Sequence, residues 1–194
     1  MDQLSKIADA LTPSVRMPVL FVGHGNPMNA LLDNDITRNW AHIGQKLPAP
    51  QAIVVISAHW LTRGTHITDA PTQPIIYDMY GFPDELYEVN YVASGSPKIA
   101  ALLQKQLEAY EAKLDSSWGL DHGTWSVLTH LAPKPKIPIL QISLDTTQSF
   151  DQLIDLFRQL RPLRKKVWCL LAAATLCTIC APSTGAITKR TIGL

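Results

Sequence analysis

Cysteine is absent from residues 1–168, and all three cysteines (Cys169, Cys177, Cys180) fall in the last part of the chain. A disulfide framework is therefore excluded, and a reducing cytoplasm is the expected compartment. Acidic residues are missing from residues 156–194, and no histidine follows His130. The Cys177-Thr-Ile-Cys180 spacing is formally that of a redox or zinc pair. It has no second ligand pair to complete a zinc site, and it lacks the strand-to-helix context of a redox pair. Charge is also scarce, 17% of residues against a typical quarter. The net charge of +1 gives no reason to expect nucleic acid or an anionic membrane as partner. The apolar run at residues 167–181 falls short of the roughly 20 residues that a membrane span needs. The opening "MDQLSKIADAL" lacks the continuous apolar core of a signal peptide.

What is present is an alternation. "PVLFVG" (residues 18–23), "AIVVIS" (52–57), "IPILQIS" (137–143) and "VWCLLAA" (167–173) are short, bulky and nearly continuous in apolar character. Strands buried on both faces of a parallel sheet read this way. Between them, residues 35–47, 96–114 and 149–160 carry helical spacing. Ser96 followed by Pro97 supplies a cap and a first helical residue for the second of these. Strands alternating with helices predict one α/β domain with a central, mostly parallel sheet flanked by helices. A chain of 194 residues is long enough for such a core, and no repeat or linker divides it.

In α/β proteins the sites gather where strands end at their C-terminal edge. "LFVGHGNPM" places His24 directly after the first strand, between Gly23 and Gly25, where backbone and ligand can approach closely. "VVISAHW" places His59 two residues past the second strand, and "WGLDHGTWSVL" places His122 before a helix, with Asp121 available to orient its imidazole. A single histidine in such a position is ordinarily a hydrogen-bonded loop residue. Two at matching strand exits, one flanked by glycines, point to ligands for one divalent ion such as Fe(II) or Zn(II). Bonds of about 2.0–2.1 Å to such an ion would hold the ligand nitrogens of His24 and His59 roughly 3–4 Å apart. His42, within a helical segment, reads as a solvated residue, and His66 and His130 read as structural. Trp60, Trp118 and Trp125 are candidates to line a pocket for a flat substrate, with core packing as the ordinary alternative.

Four stretches in order, "MPVLFVGHGNPMNALLDN", "LPAPQAIVVISAHWLTRGT", "YDMYGFPDELYEVNYVASGSP" and "WGLDHGTWSVLTHL", closely resemble the class III extradiol ring-cleavage dioxygenases, in their DOPA-cleaving branch. The resemblance implies that His24 and His59 hold the metal and that His122 is the catalytic acid–base histidine. It implies ring cleavage of a small aromatic catechol such as L-DOPA by dioxygen at a non-haem Fe(II). Zn(II) could occupy the same nitrogens without supporting dioxygen chemistry. A zinc-dependent hydrolase using the same histidines, and a non-catalytic relative, are the competing readings.

The resemblance divides the chain into an extension (1–16), an incomplete dioxygenase domain (17–173) and a divergent tail (174–194), so the C-terminal part of the fold is expected to be missing. Family members follow the strand equivalent to "VWCLLAA" with G-N-V-V-H-N-L, whose histidine serves the metal site. Here the chain reads "ATLCTICAPSTGAITKRTIGL". Codons for residues 173–194 can be chosen that read G-N-V-V-H-N-L in a shifted frame, the histidine codon spanning Cys177 and Thr178. A frameshift accounts for the cysteine cluster and the missing acids together. Such a tail should pack poorly on the fold, since its sequence was not selected for it.

Overall fold

The computed structural model describes residues 16–166 and 168–174, with side chains to residue 164. Residues 1–15 and 175–194 lie outside this description, and with them the expected poor packing of the tail. The elements in chain order are β1 (Val19–Gly23), α1 (Asp35–Lys46), β2 (Ala52–Thr62), β3 (His66–Thr68), β4 (Thr72–Gln73), α2 (Asp84–Tyr87), β5 (Ala93–Ser94), α3 (Pro97–Gln106), β6 (Lys113–Asp115), α4 (His122–Leu131), β7 (Ile139–Asp145), α5 (Phe150–Arg158) and β8 (Trp168–Ala174).

Six of the strands form one sheet in the order β1-β8-β2-β7-β3-β6, and β4 pairs with β5 in a small separate ribbon. β1, β8, β2 and β7 run parallel, while β3 enters antiparallel to β7. The sheet is thus mostly parallel and flanked by helices, as the alternation predicts. Each face has its own core. On one, Ile53 and Val55 pack with Trp125, Leu128 and Leu131 of α4. On the other, Ala52 and Val54 pack with Leu103 of α3 and Leu156 of α5. Neighbouring residues of β2 therefore serve opposite faces, which explains why its sequence is apolar without interruption.

Local signals set the helix starts. Asn34 caps α1 through its side chain and exchanges a second hydrogen bond with Thr37, and Ser149 does the same for α5 with Gln152. Ser96 caps α3 with Pro97 at its first turn. The helix expected over residues 96–114, however, ends at Gln106. The chain turns through a left-handed Glu111, and Lys113–Asp115 pairs in parallel with β3. That pairing is non-local, so helical spacing along the sequence carries no trace of it.

α1 and α4 approach so closely that a Cβ on Gly44 would stand 1.9 Å from the carbonyl oxygen of Leu131. Gly44→Ala is accordingly expected to cost about 1–3 kcal/mol through overpacking against backbone. This would be read as a fall of several degrees in Tm, and an unchanged Tm would contradict the close packing.

Candidate metal centre

β1 ends at Gly23, and His24 follows it with 1% of its surface exposed. Gly25 takes the left-handed region (φ 64°), which turns the chain sharply after the histidine. Asn29 fixes the turn by donating its side-chain amide to the His24 carbonyl at 3.0 Å, and Asn34 donates to Asn29 Oδ1 at 3.1 Å. His130 bonds the Asn29 carbonyl through Nε2 at 2.7 Å, a structural part that suits its position on α4.

His59 does not follow its strand. β2 continues to Thr62, and His59 lies where its register with β7 shifts between Ile56 and Leu61. Such an irregularity re-aims side chains, here toward the sheet edge that carries His24. Gly123 permits the approach of α4, since a Cβ there would lie 2.6 Å from His59 Cδ2. His122 is the first residue of α4, whose cap is Asp121.

These three histidines come together. His24 Nε2 and His59 Nε2 are 2.8 Å apart. Ring centroids are separated by 4.9 Å for His24–His59, 5.1 Å for His24–His122 and 4.0 Å for His59–His122. One ring nitrogen from each lies within 4.8 Å of the others. The 2.8 Å separation is shorter than the 3–4 Å expected around an ion, and it is the spacing of a protonated imidazole nitrogen donating to a bare one. His42 is exposed on α1 and lies apart from this group.

Asp121 does not orient the His122 imidazole. Its Oδ1 accepts the Thr124 backbone N–H at 3.0 Å and its Oδ2 accepts the Gln141 amide at 2.9 Å. The carboxylate beside His122 is Asp78, whose Oδ1 accepts the His122 backbone N–H at 2.8 Å and lies 3.0 Å from His122 Nδ1. Sequence reasoning missed it, although it stands inside the quoted "YDMYGFP". Of the tryptophans, Trp60 and Trp118 stack on each other at 5.4 Å, and Trp125 is buried in the core with its indole N–H on the Ile76 carbonyl at 3.0 Å. Core packing is what the structure shows for Trp125.

Electrostatics favour the neutral forms of His24 and His59. Burial, and then the neighbouring His122 and His59, push the pKa of His24 down to about 4. Burial and His122 also lower that of His59. Burial works against ionisation of Asp78, but hydrogen bonds from His122 outweigh it and leave its carboxyl below the ordinary range. Burial raises the pKa of Asp121, which Ser57 and Gln141 partly offset. A histidine whose folded pKa is depressed binds fewer protons than the unfolded chain between the two values, so its contribution to stability falls as pH drops from about 6.5 toward about 4. Allowing for solvent screening, we expect the metal-free chain to lose about 2 kcal/mol between pH 7 and 4.5. Urea midpoints at the two pH values would measure this loss, and His24→Gln should reduce it. Equal midpoints for the unsubstituted chain would contradict the depressed pKa.

The family model described as the catalytic LigB subunit of aromatic ring-opening dioxygenase matches residues 18–172. A 4,5-DOPA dioxygenase extradiol of Escherichia coli (strain K12) is 45% identical over 168 residues, covering 86% of this chain and 62% of the relative. One of Beta vulgaris with the same description is 34% identical over 150 residues, covering 74% of this chain and 56% of the relative. The crystal structure of an uncharacterized protein from Escherichia coli K12 superposes with a TM-score of 0.69 at 42% identity, covering 82% of this chain and 59% of that one. The chain thus spans about three fifths of the length of these relatives. No helix among the described residues is long and apolar enough to cross a membrane.

Proposed function

The chain belongs to the family of the catalytic LigB subunit of aromatic ring-opening dioxygenase, the class III extradiol dioxygenases, and from that premise we propose that its histidine cluster binds one divalent metal ion for extradiol cleavage of a catechol such as L-DOPA. The observation that carries this reading is the convergence of three buried or half-buried imidazoles at the C-terminal edge of the sheet. The donor set fits. Imidazole nitrogens suit Fe(II) and Zn(II), and a ligand must be neutral, which burial ensures for His24.

His24 and His59 would hold the ion. Fe(II), when bound, supplies a Lewis-acidic and redox-active centre for catechol and dioxygen, whereas Zn(II) supplies no redox states. His122 stands beside both ligands, where its Nε2 can take a proton from a catechol hydroxyl as general base and return it later as general acid. The surrounding protein excludes water from His24 and so strengthens each polar contact made there.

The tail enters the same proposal. β8 lies between β1 and β2, and its last residues pair with the strand positions that precede the two histidines: Ala174 with Gly23 and Ala173 with Ser57. β8 thus ends level with the strand positions that lead to His24 and His59. Residues 175–194 contain no histidine, aspartate or glutamate to offer there. We expect weak Fe(II) binding and little turnover from this chain. Anaerobic Fe(II) titration followed by oxygen uptake with L-DOPA tests both parts. Robust turnover would refute the tail's deficiency, while zinc-dependent hydrolysis without oxygen uptake or a complete failure to bind any divalent ion would refute the dioxygenase reading.

A further inference from the structure

We propose that Asp78 is the positioning residue of His122, fixing its imidazole as the Nδ1–H tautomer so that the bare Nε2 is the nitrogen turned toward His24 and His59. The inference rests on the role proposed above for His122, but its structural content can be tested without metal or substrate.

One carboxylate oxygen does two things. Asp78 Oδ1 accepts the backbone N–H of His122 at 2.8 Å and lies 3.0 Å from Nδ1 of the same residue. Nδ1 is within hydrogen-bond distance of Oδ1, although its alignment falls short of a full hydrogen bond and leaves the ion-pair contact with the carboxylate as its attraction. A carboxylate can only accept, so the nitrogen facing it carries the proton. In a neutral imidazole the other nitrogen is then bare. Here that nitrogen is Nε2, on a ring whose neighbours are His59 at 4.0 Å and His24 at 5.1 Å between centroids. A general base needs a bare nitrogen on the substrate side, so the tautomer decides whether His122 can accept a proton from that side.

The carboxylate is itself held in place. The segment before Asp78 is zipped to the residues before His122. Leu120 N donates to the Pro74 carbonyl and Ile76 N donates to the Leu120 carbonyl, both at 2.8 Å. A Cβ on Gly119 would stand 2.2 Å from the Pro74 oxygen, so only glycine permits this approach. The Trp125 indole on the Ile76 carbonyl adds a tie to α4, and the Tyr77 hydroxyl donates to the Val89 carbonyl at 2.7 Å across the loop. Asp78 and His122 are thereby fixed to one rigid corner. Asp121, though adjacent to His122 in sequence, has both oxygens engaged elsewhere.

The test is nitrogen NMR on the full, metal-free chain labelled with ¹⁵N-histidine, at a pH where the cluster is neutral. His122 should show a protonated Nδ1 and a bare Nε2. Asp78→Ala should lower the ratio of Nδ1–H to Nε2–H by about tenfold, the scale of one hydrogen bond to a charged group. The resonances of His42 and His130 should stay in place, showing that the fold persists. Asp78→Asn retains an oxygen acceptor without the charge, should rescue the tautomer in part, and carries the test should the alanine variant fail to fold. An Nε2–H tautomer in the unsubstituted chain, or a ratio unmoved in both variants, would overturn the proposal. Loss of metal binding with the tautomer intact would instead count against the metal-centre reading alone.

Discussion

Removing either imidazole proposed to hold the metal, His24 or His59, is expected to lower affinity for Zn(II) or Fe(II) at least ~100-fold, because losing even an outer partner of a ligand costs about 10–100-fold. His59→Ala is the more informative change. His24 and His59 are 2.8 Å apart through their Nε2 atoms, so each is within reach of an ion held by the other. Neither can be replaced by a neighbouring acid, because Asp121 is committed to Thr124 and Gln141 and Asp78 to His122. Competition with a chromophoric chelator gives the affinity directly. His42→Ala, on the exposed face of α1, should leave it unchanged. The folded state should survive His59→Ala, since the folded chain disfavours the charged form of this imidazole. An affinity equal to that of the unsubstituted chain would remove His59 from the site.

The second large effect concerns the residues after β8. Replacing residues 173–194 by the shifted-frame reading that begins G-N-V-V-H-N-L should raise DOPA-dependent oxygen uptake at least ~100-fold, since losing even an outer partner of a metal ligand costs about 10–100-fold. The expectation rests on register. β8 is flanked by β1 and β2, and its end lies level with Gly23 and Ser57, the strand positions just before His24 and His59. The family match closes at residue 172, just before the stretch in which the G-N-V-V-H-N-L motif is expected and "ATLCTIC" stands instead. The coding DNA should spell the motif in the alternative frame. Third bases that spell something unrelated would end the frameshift proposal, as would a repaired chain no faster than the original.

Legibility in the sequence followed the range of each interaction. Uninterrupted apolar stretches such as "AIVVIS" announced strands covered on both faces, and Ser96-Pro97 announced the start of α3, because caps and apolar patterning are local. The end of α3 was not legible. "EAYEAKL" keeps helical spacing, and only pairing with β3 draws Lys113–Asp115 out of it. His24 could be located from its glycine-flanked place after a strand. The reach of β2 past His59, with its register shift, could not, because the shift is defined by β7, far along the chain.

The sequence by itself determined the α/β class, the family, and the three histidines worth watching, since each of these lies within a contiguous motif whose residue types carry the chemistry. Only the tertiary structure decided that all three rings meet within one small volume. It also decided that β8 ends level with the strand positions that lead to two of them and that Asp78, rather than the adjacent Asp121, attends His122. The reason is physical. A carboxylate's partner is set by which donors the folded backbone brings to it, and Asp121 is consumed by its helix cap and Gln141, while the Pro74–Leu120 pairing delivers Asp78 from 44 residues away.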